Sequence, residues 1–139
     1  MNRAIIALAF GIFALSGAGA QAQTMSYAQA GALIAKSCGA DIEKFCRGLN
    51  LGGGRIATCL TQNQAKISPQ CISDYQAAVA SVQKRVAAQA AAFQVCRRDA
   101  AEFCKGVKAG DANLLNCLLD SVKVVDATCS QTLTDAGWN

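Results

Sequence analysis

The residues with the clearest chemical meaning in this chain are its eight cysteines, because a cysteine sulfur can form a disulfide, bind a metal or exchange electrons. They fall into two sets of four with the same spacing, C-x7-C-x12-C-x11-C. The first set is Cys38, Cys46, Cys59 and Cys71, and the second is Cys96, Cys104, Cys117 and Cys129. Because the second set repeats the first with a shift of 58 residues and no gap, the spacing indicates an internal duplication.

Disulfides are the chemistry that this pattern favours. Structural zinc sites usually bring two ligands in a short C-x2–4-C knuckle, and redox sites usually carry C-x-x-C; the chain has neither motif. It also has no histidine, which excludes Ser-His and Cys-His pairs and mixed Cys/His zinc sites. We therefore predict four disulfides, no catalytic residue, no metal and no cofactor. A thiol/disulfide redox or metal-binding factor that uses the cysteines is the alternative.

The first residues, MNRAIIALAFGIFALSGAGAQAQT, have the layout of a secretory signal peptide. Arg3 precedes an apolar run from Ala4 to Leu15, which is shorter than the roughly 20 residues that a membrane span needs. The small-x-small rule predicts cleavage after Ala20 or Ala22, and an uncleaved anchor is the competing interpretation. We expect residues 1–22 to be removed, leaving a periplasmic or secreted protein with no stable membrane anchor.

The charge pattern gives little indication of a charged partner. Without Arg3 the net charge is +3, and it is spread along the chain. The basic pairs Lys84-Arg85 and Arg97-Arg98 have no interleaved aromatic residues, as a nucleic-acid patch would. We expect no nucleic-acid partner, whereas an unknown protein partner is compatible with the sequence.

Each unit can be interpreted as three helices. Ser26 and Gln29 form a capping-box signal for the first helix, and Gly48 and Gly106 stand where this helix ends in a left-handed residue. A glycine-rich turn precedes the second helix, and we expect Asp111 to be its N-cap in unit 2.

The third helix begins at Ser68-Pro69 in unit 1 and at Asp126 in unit 2, since serine and aspartate are both good caps.

A single long helix is predicted to join the two units, because no glycine or proline occurs between Pro69 and Gly106. An apolar seam with 3,4 spacing runs through it: Ile72, Tyr75, Val79, Val82, Val86, Gln89, Phe93, Cys96, Ala100 and Phe103. The expected fold is all-α, with two disulfide-stapled helical repeats that share this central helix. The seam is expected to pack on flanking helices of the same chain, and a coiled-coil dimer is the alternative.

The helical layout also favours one cysteine pairing. If the first two helices of a unit are antiparallel, Cys46 near the end of one meets Cys59 near the start of the next. The following loop then returns Cys71 to Cys38. The predicted pairs are Cys38–Cys71, Cys46–Cys59, Cys96–Cys129 and Cys104–Cys117.

The first unit carries a motif made of Cys38, Asp41, Phe45-Cys46, Gly52 to Gly54, Cys59-Leu60 and Ile67 to Cys71. This motif closely resembles the cysteine-rich repeat of the Golgi apparatus protein 1 family, also called the cysteine-rich fibroblast growth factor receptor repeat. The second unit is a looser match, because Asp111-Ala112 and Val125-Asp126 replace part of the pattern. The resemblance implies a small exported protein, similar to bacterial members of the family, and it implies no activity.

The recurring Asp41 and Asp99 are the best polar candidates. An acid/base pair would need a second recurring carboxylate, and none is present, so we expect a structural role in which each aspartate accepts N–H bonds from a helix start or the glycine turn. The glycine turn itself lacks Gly-Lys-Ser/Thr and a preceding strand, so it is interpreted as a helix connection and not as a phosphate loop.

A candidate interface lies in unit 2, whose second helix is more apolar than its counterpart. The residues concerned are Leu115, Leu119 and Val122, with Trp138 as a second choice. Packing between the units is the other explanation for their apolar character.

These observations predict two parts of the chain: the leader 1–22 and one all-α domain at 23–139. The domain consists of repeat 1 (about 26–71), a connecting helix (72–95) and repeat 2 (about 96–139). The predicted function is that of an exported, non-enzymatic structural or protein-binding module of the cell envelope.

Overall fold

The computed structural model of the protein describes residues 23–50 and 52–138, and within these ranges the chain is helical and contains no strand. The helices are α1 Tyr27–Phe45, α2 Arg55–Gln62, α3 Pro69–Val95, α4 Arg97–Phe103, α5 Asn113–Asp120 and α6 Ala127–Ala136, with a 3₁₀ turn at Gln64–Lys66. The prediction of an all-α fold with a long central helix is confirmed. The predicted signal peptide, residues 1–22, lies outside the described residues.

Helix α3 is the element on which both units are built. Its first half packs against α1, with Cys38 bonded to Cys71 and the backbone N–H of Met25 donating to Ser81 Oγ at 2.7 Å. Its second half packs against α6, with Cys96 bonded to Cys129. Both neighbours run antiparallel to α3. The same helix is therefore the third helix of unit 1 and the start of the first helix of unit 2.

The two units meet at the middle of α3, where polar groups join the N-terminal segment to the end of α6. The hydroxyl of buried Thr24 donates to the carbonyl of Asp135. Arg85 donates to the carbonyls of Thr24 (3.2 Å) and Gly137 (3.4 Å). Gln89, the polar residue in the apolar seam, donates to the carbonyl of Ala136 at 3.0 Å. The bonds to Asp135, Gly137 and Ala136 satisfy carbonyl groups at the end of α6 that have no partner within the helix.

The apolar seam of α3 is covered only in part. The most buried positions of this helix are Cys71, Ala78 and Ala92, which face the flanking helices. Val86 and Phe93 lie at the edge of this contact and remain 46% and 65% exposed. The expectation that the whole seam packs on flanking helices is therefore wrong for these two residues, because small alanines occupy the centre of the contact.

The helix starts follow the local cap chemistry. Ser26 and Gln29 form a reciprocal capping box at the start of α1, as predicted. Ser68 caps α3 through the N–H of Cys71, with Pro69 as the first helical residue. Asp126 caps α6 through the N–H of Thr128 at 2.8 Å. The third helix is thus capped by a hydroxyl in unit 1 and by a carboxylate in unit 2.

The long helix is interrupted once, at Cys96, so the prediction of an unbroken helix to Gly106 is wrong there. The ψ angle of Cys96 is 5°, whereas an α-helix has about −42°. The N–H of Cys96 still bonds the carbonyl of Ala92, and its own carbonyl still accepts from Ala100. The change of ψ therefore bends the path at one residue and starts α4 without opening a loop.

The glycine-rich turn contradicts the cap that the sequence suggests for unit 2. In unit 1, Gly53 and Gly54 have φ of 55° and 69°, and Gly54 is the N-cap of α2. In unit 2 the equivalent Asp111 and Ala112 have φ of 46° and 60°, and Ala112, not Asp111, is the N-cap. The turn keeps its left-handed path, so α5 begins one residue later than the aspartate would place it.

This conformation generates a prediction about stability. A side chain in the left-handed region costs about 1–2 kcal/mol. We therefore expect Ala112→Gly to stabilise the protein by about 1 kcal/mol, after the added freedom of the unfolded chain is subtracted. The measurement is guanidinium unfolding with the disulfides intact.

The matched control substitutions should lower the free energy of unfolding instead of raising it. Gly54→Ala places a side chain on the equivalent left-handed residue of unit 1 and should destabilise by about 1 kcal/mol. Ala90→Gly, within α3, should also destabilise by about 1 kcal/mol. Loss of stability in Ala112→Gly would show that the turn of unit 2 is not strained.

Candidate functional site

The cysteines form four bridges that repeat one arrangement in the two units. Cys38–Cys71 and Cys96–Cys129 join the first helix of a unit to its third, with Cα–Cα distances of 4.7 and 4.9 Å. The other bridge joins the end of the first helix to the second helix. These pairs are Cys46–Cys59 (5.9 Å) and Cys104–Cys117 (6.0 Å). The connectivity is the one that antiparallel helices predict.

All eight cysteines lie within the described residues, and none of them is free. Metal binding and nucleophilic attack both need a thiolate, so the eight sulfurs can do neither while the bridges are closed. Cys38 and Cys129 are completely buried, whereas Cys117 keeps part of its surface in solvent. The bridges therefore form the centres of the two hydrophobic cores, with one exception at the edge of unit 2.

The recurring aspartates bind the start of the third helix in each unit. In unit 1, Asp41 Oδ2 accepts from the N–H and the hydroxyl of Ser68, at 3.1 and 2.7 Å. In unit 2, Asp99 Oδ1 accepts from the N–H of Asp126 at 2.8 Å, and Asp99 is buried. The first N–H groups of a helix lack partners within the helix, so a carboxylate there stabilises the helix start. This geometry agrees with the structural role expected for both residues.

The other structural positions singled out in the sequence are Gly48 and Gly106. They have φ of 81° and 80°, so both occupy the left-handed region after the first helix of their unit. Side chains are disfavoured in this region. The two glycines therefore turn the chain toward the second helix in the same way.

Two carboxylates have a pKa below the ordinary value because hydrogen bonds favour their charged form. The backbone N–H of Thr128 is the main cause at Asp126, and the positive charge of Arg98 adds to it. The hydroxyl of Ser37 is the main cause at Asp74, followed by the amide of Gln70. Asp126 belongs to a helix cap, and Asp74 links α1 to α3.

An apolar pocket of about 200 Å³ opens on unit 2 between α3, α5 and the end of α6. We name it the unit 2 pocket. Its lining includes Ala92, Phe93, Leu115, Leu118, Leu133 and Trp138.

The sequence analysis names four candidate interface residues, and two of them, Leu115 and Trp138, line this pocket. Leu119 and Val122 do not line it: Leu119 packs against the core of unit 2, as Leu115 and Trp138 also do, and Val122 is half-buried. The structure therefore divides the set that the sequence groups together. Phe93 is the residue that sequence reasoning missed. Its place in the apolar seam suggested an internal position, yet it forms part of the pocket rim and is largely exposed.

Comparison with known protein families gives a match that agrees with the arrangement of the cysteines. Residues 80–126 match the family model of the cysteine rich repeat. Together with the four bridges, this match supports a cysteine-rich repeat family for the chain. The matched segment comprises the later part of α3 and unit 2 as far as Asp126, although the motif of unit 1 follows the repeat pattern more closely. No curated protein and no solved structure matches the chain significantly.

The environment of the protein is indicated by the bridges. Disulfides persist in oxidising compartments, so four of them suggest an extracellular or secreted setting. Among residues 23–50 and 52–138, no helix combines the length and apolar character needed to cross a bilayer.

The lowered pKa of Asp126 predicts how stability depends on pH. Its folded pKa lies below the unfolded value of about 3.9, so its contribution is complete above that pH and is lost as the pH falls through the folded pKa. We expect Asp126→Asn to be less stable than the parent at pH 6, with the difference shrinking below about pH 4. Urea unfolding over this range measures it.

Asp120→Asn, a change at an exposed carboxylate of the same unit, is the control. Its difference from the parent should vary less with pH. A difference for Asp126→Asn that stays constant down to pH 2.5 would contradict the electrostatic role of this cap.

The exposure of Cys117 predicts the order of reduction. A reductant reaches a partly exposed sulfur more easily than a buried one, so limited reduction should open Cys104–Cys117 several-fold faster than the equivalent Cys46–Cys59. Alkylation at early times followed by peptide mass spectrometry would identify the opened bridge. Equal rates for these two bridges would show that access to the sulfur does not set the order.

Proposed function

We propose that this protein is an exported, non-enzymatic module with a structural or protein-binding role in the cell envelope. The single observation that carries the proposal is that all eight cysteines are paired, and that each pair connects helices of one unit. A cysteine-rich repeat in which every sulfur is used to hold helices together has the character of a scaffold.

The polar groups that recur between the units support the same conclusion. Asp41 and Asp99 are both used to hold the start of a third helix. A general acid or base must reach a substrate proton, and the buried Asp99 instead holds a backbone N–H of its own chain. The alternative function, a redox or metal factor, requires at least one bridge to open.

Export is the finer part of the proposal, and two observations support it. The chain begins with a segment of signal-peptide layout, and its cysteines are oxidised, as is usual for exported proteins. Cleavage after Ala20 or Ala22 would leave Gln21 or Gln23 as the first residue. Thr24 follows closely, is buried and donates to the carbonyl of Asp135 near the end of α6, so the first residues of the predicted mature chain belong to its packed part.

The experiment that tests this function is the intact mass of protein recovered after export, alkylated without reduction. We expect a mass that lacks eight hydrogens relative to the reduced chain, carries no alkyl group and corresponds to cleavage after Ala20 or Ala22. A reduced and alkylated sample is the control, because it should gain eight alkyl groups. Failure to recover the protein outside the cytoplasm would overturn export, a retained leader would favour the uncleaved anchor, and alkylated thiols or bound metal would favour the redox or metal alternative.

A further inference from the structure

The unit 2 pocket lies where unit 2 has smaller side chains than unit 1 at the equivalent positions. Ala92 and Leu133 line the pocket and are buried. The equivalent positions of unit 1, 58 residues earlier, carry Ile34 and Tyr75, and both pack against the core of that unit. Replacing isoleucine by alanine and tyrosine by leucine removes side-chain volume at two neighbouring points, including one aromatic ring.

The walls of the pocket have changed in the opposite direction. Phe93, Leu115 and Trp138 line it, whereas unit 1 has alanine at all three equivalent positions, 35, 57 and 80. The isoleucine and the tyrosine of unit 1, placed at positions 92 and 133, would fill this space with side chains of the protein itself. Unit 2 instead has small residues inside and large apolar residues around them, which is the construction of a binding pocket.

The lining determines which chemistry fits. The named lining residues are all apolar, so a polar or charged group placed among them would lose its hydration without gaining a hydrogen bond. The charged residues close in sequence to the lining are Asp111, Asp120, Arg97 and Asp135, which pairs with Lys84, and none of them lines the pocket. The lining without charged side chains therefore favours an uncharged occupant. Phe93 and Trp138 provide two aromatic surfaces, against which another ring packs favourably.

The size of the pocket limits the occupant further. It has a volume of about 200 Å³, and an apolar cavity of about 150 Å³ in another protein takes up benzene. A stable protein interface buries about 1,200 Å² or more, which this pocket alone does not provide. The size therefore suits a free small molecule with one ring.

We propose that the unit 2 pocket binds a small, uncharged molecule that contains a single aromatic ring. The ring occupies the space that the ring of Tyr75 and the chain of Ile34 would fill if unit 2 had the residues of unit 1. Phe93, Leu115 and Trp138 form the walls around it. This binding goes beyond the proposed function and depends neither on export nor on a protein partner.

The test is a titration of the oxidised protein with toluene, followed by the fluorescence of Trp138, the one tryptophan of the chain. We expect a saturable change in emission and a matching rise in thermal stability, because a ligand that binds the folded state stabilises it. Benzoate, which has the same ring with a charge, should bind at least tenfold more weakly.

Three variants separate the pocket from general effects. Ala92→Ile restores the residue of unit 1 and should weaken toluene binding at least tenfold, and Leu115→Ala removes a wall and should weaken it several-fold. Ala90→Ile makes the same change at an exposed position of α3 and should alter the affinity by less than twofold. Circular dichroism and the oxidised mass verify that each variant is folded.

Several outcomes would overturn the proposal. They are an unsaturable emission change in the parent, benzoate binding equal to toluene binding, and folded Ala92→Ile and Leu115→Ala variants that bind toluene as the parent does. None of these results bears on whether the protein is exported with its cysteines paired, so the proposal can fail while the proposed function stands.

Discussion

The attachment of two helices to opposite ends of one long helix is the constraint on which the rest of the structure depends. Cys38–Cys71 holds α1 on the first half of α3, and Cys96–Cys129 holds α6 on the second half. Each bridge closes a loop and so restricts the unfolded chain, which stabilises the folded state by about 3–4 kcal/mol per bridge. The total stability of a small domain is about 5–15 kcal/mol, so these terms are a large part of it. The centre of α3 can then consist of alanines, because close helix packing there does not have to stabilise the fold alone.

Because both units use α3, the buried polar residues Thr24 and Asp135 lie at the middle of the molecule. The start of α1 and the end of α6 lie next to each other there, which leaves backbone carbonyls near the side chains of α3. Arg85 and Gln89 provide the donors that these carbonyls need, and the ion pair of Lys84 with Asp135, at 2.8 Å, lies beside them. Unpaired carbonyls at this point would cost free energy, so the polar residues of α3 are required by the way the units meet.

Features that depend on local chemistry could be predicted from the sequence. The caps at Ser26 and Ser68 need only a side-chain oxygen at the correct distance along the chain, and the cysteine spacing restricts how antiparallel helices can be connected. The bend at Cys96 carries no such signal, since no glycine or proline marks it. The prediction that Asp111 caps α5 failed for a physical reason. Aspartate is a good N-cap, but the turn of unit 2 keeps the left-handed backbone conformation that glycines allow in unit 1, and this conformation places the cap at the next residue. The exposure of Phe93 depends on which face of α3 its neighbours cover, and helical spacing alone does not determine that face.

The two units of the duplicated fold share their stabilising features and differ in the residues around one pocket. Both keep the bridges, the aspartate bond to the start of the third helix and the left-handed glycine after the first helix, so these features stabilise each unit. The changes are grouped: smaller residues at 92 and 133 and larger apolar residues at 93, 115 and 138 all border one pocket. A random loss of packing would be expected to create a cavity without enlarging its walls. A void in a core lowers the stability of a domain, and the bridges of unit 2 offset that loss. Unit 2 therefore stays folded with an open apolar pocket, whereas the same pocket would destabilise a domain without bridges more seriously.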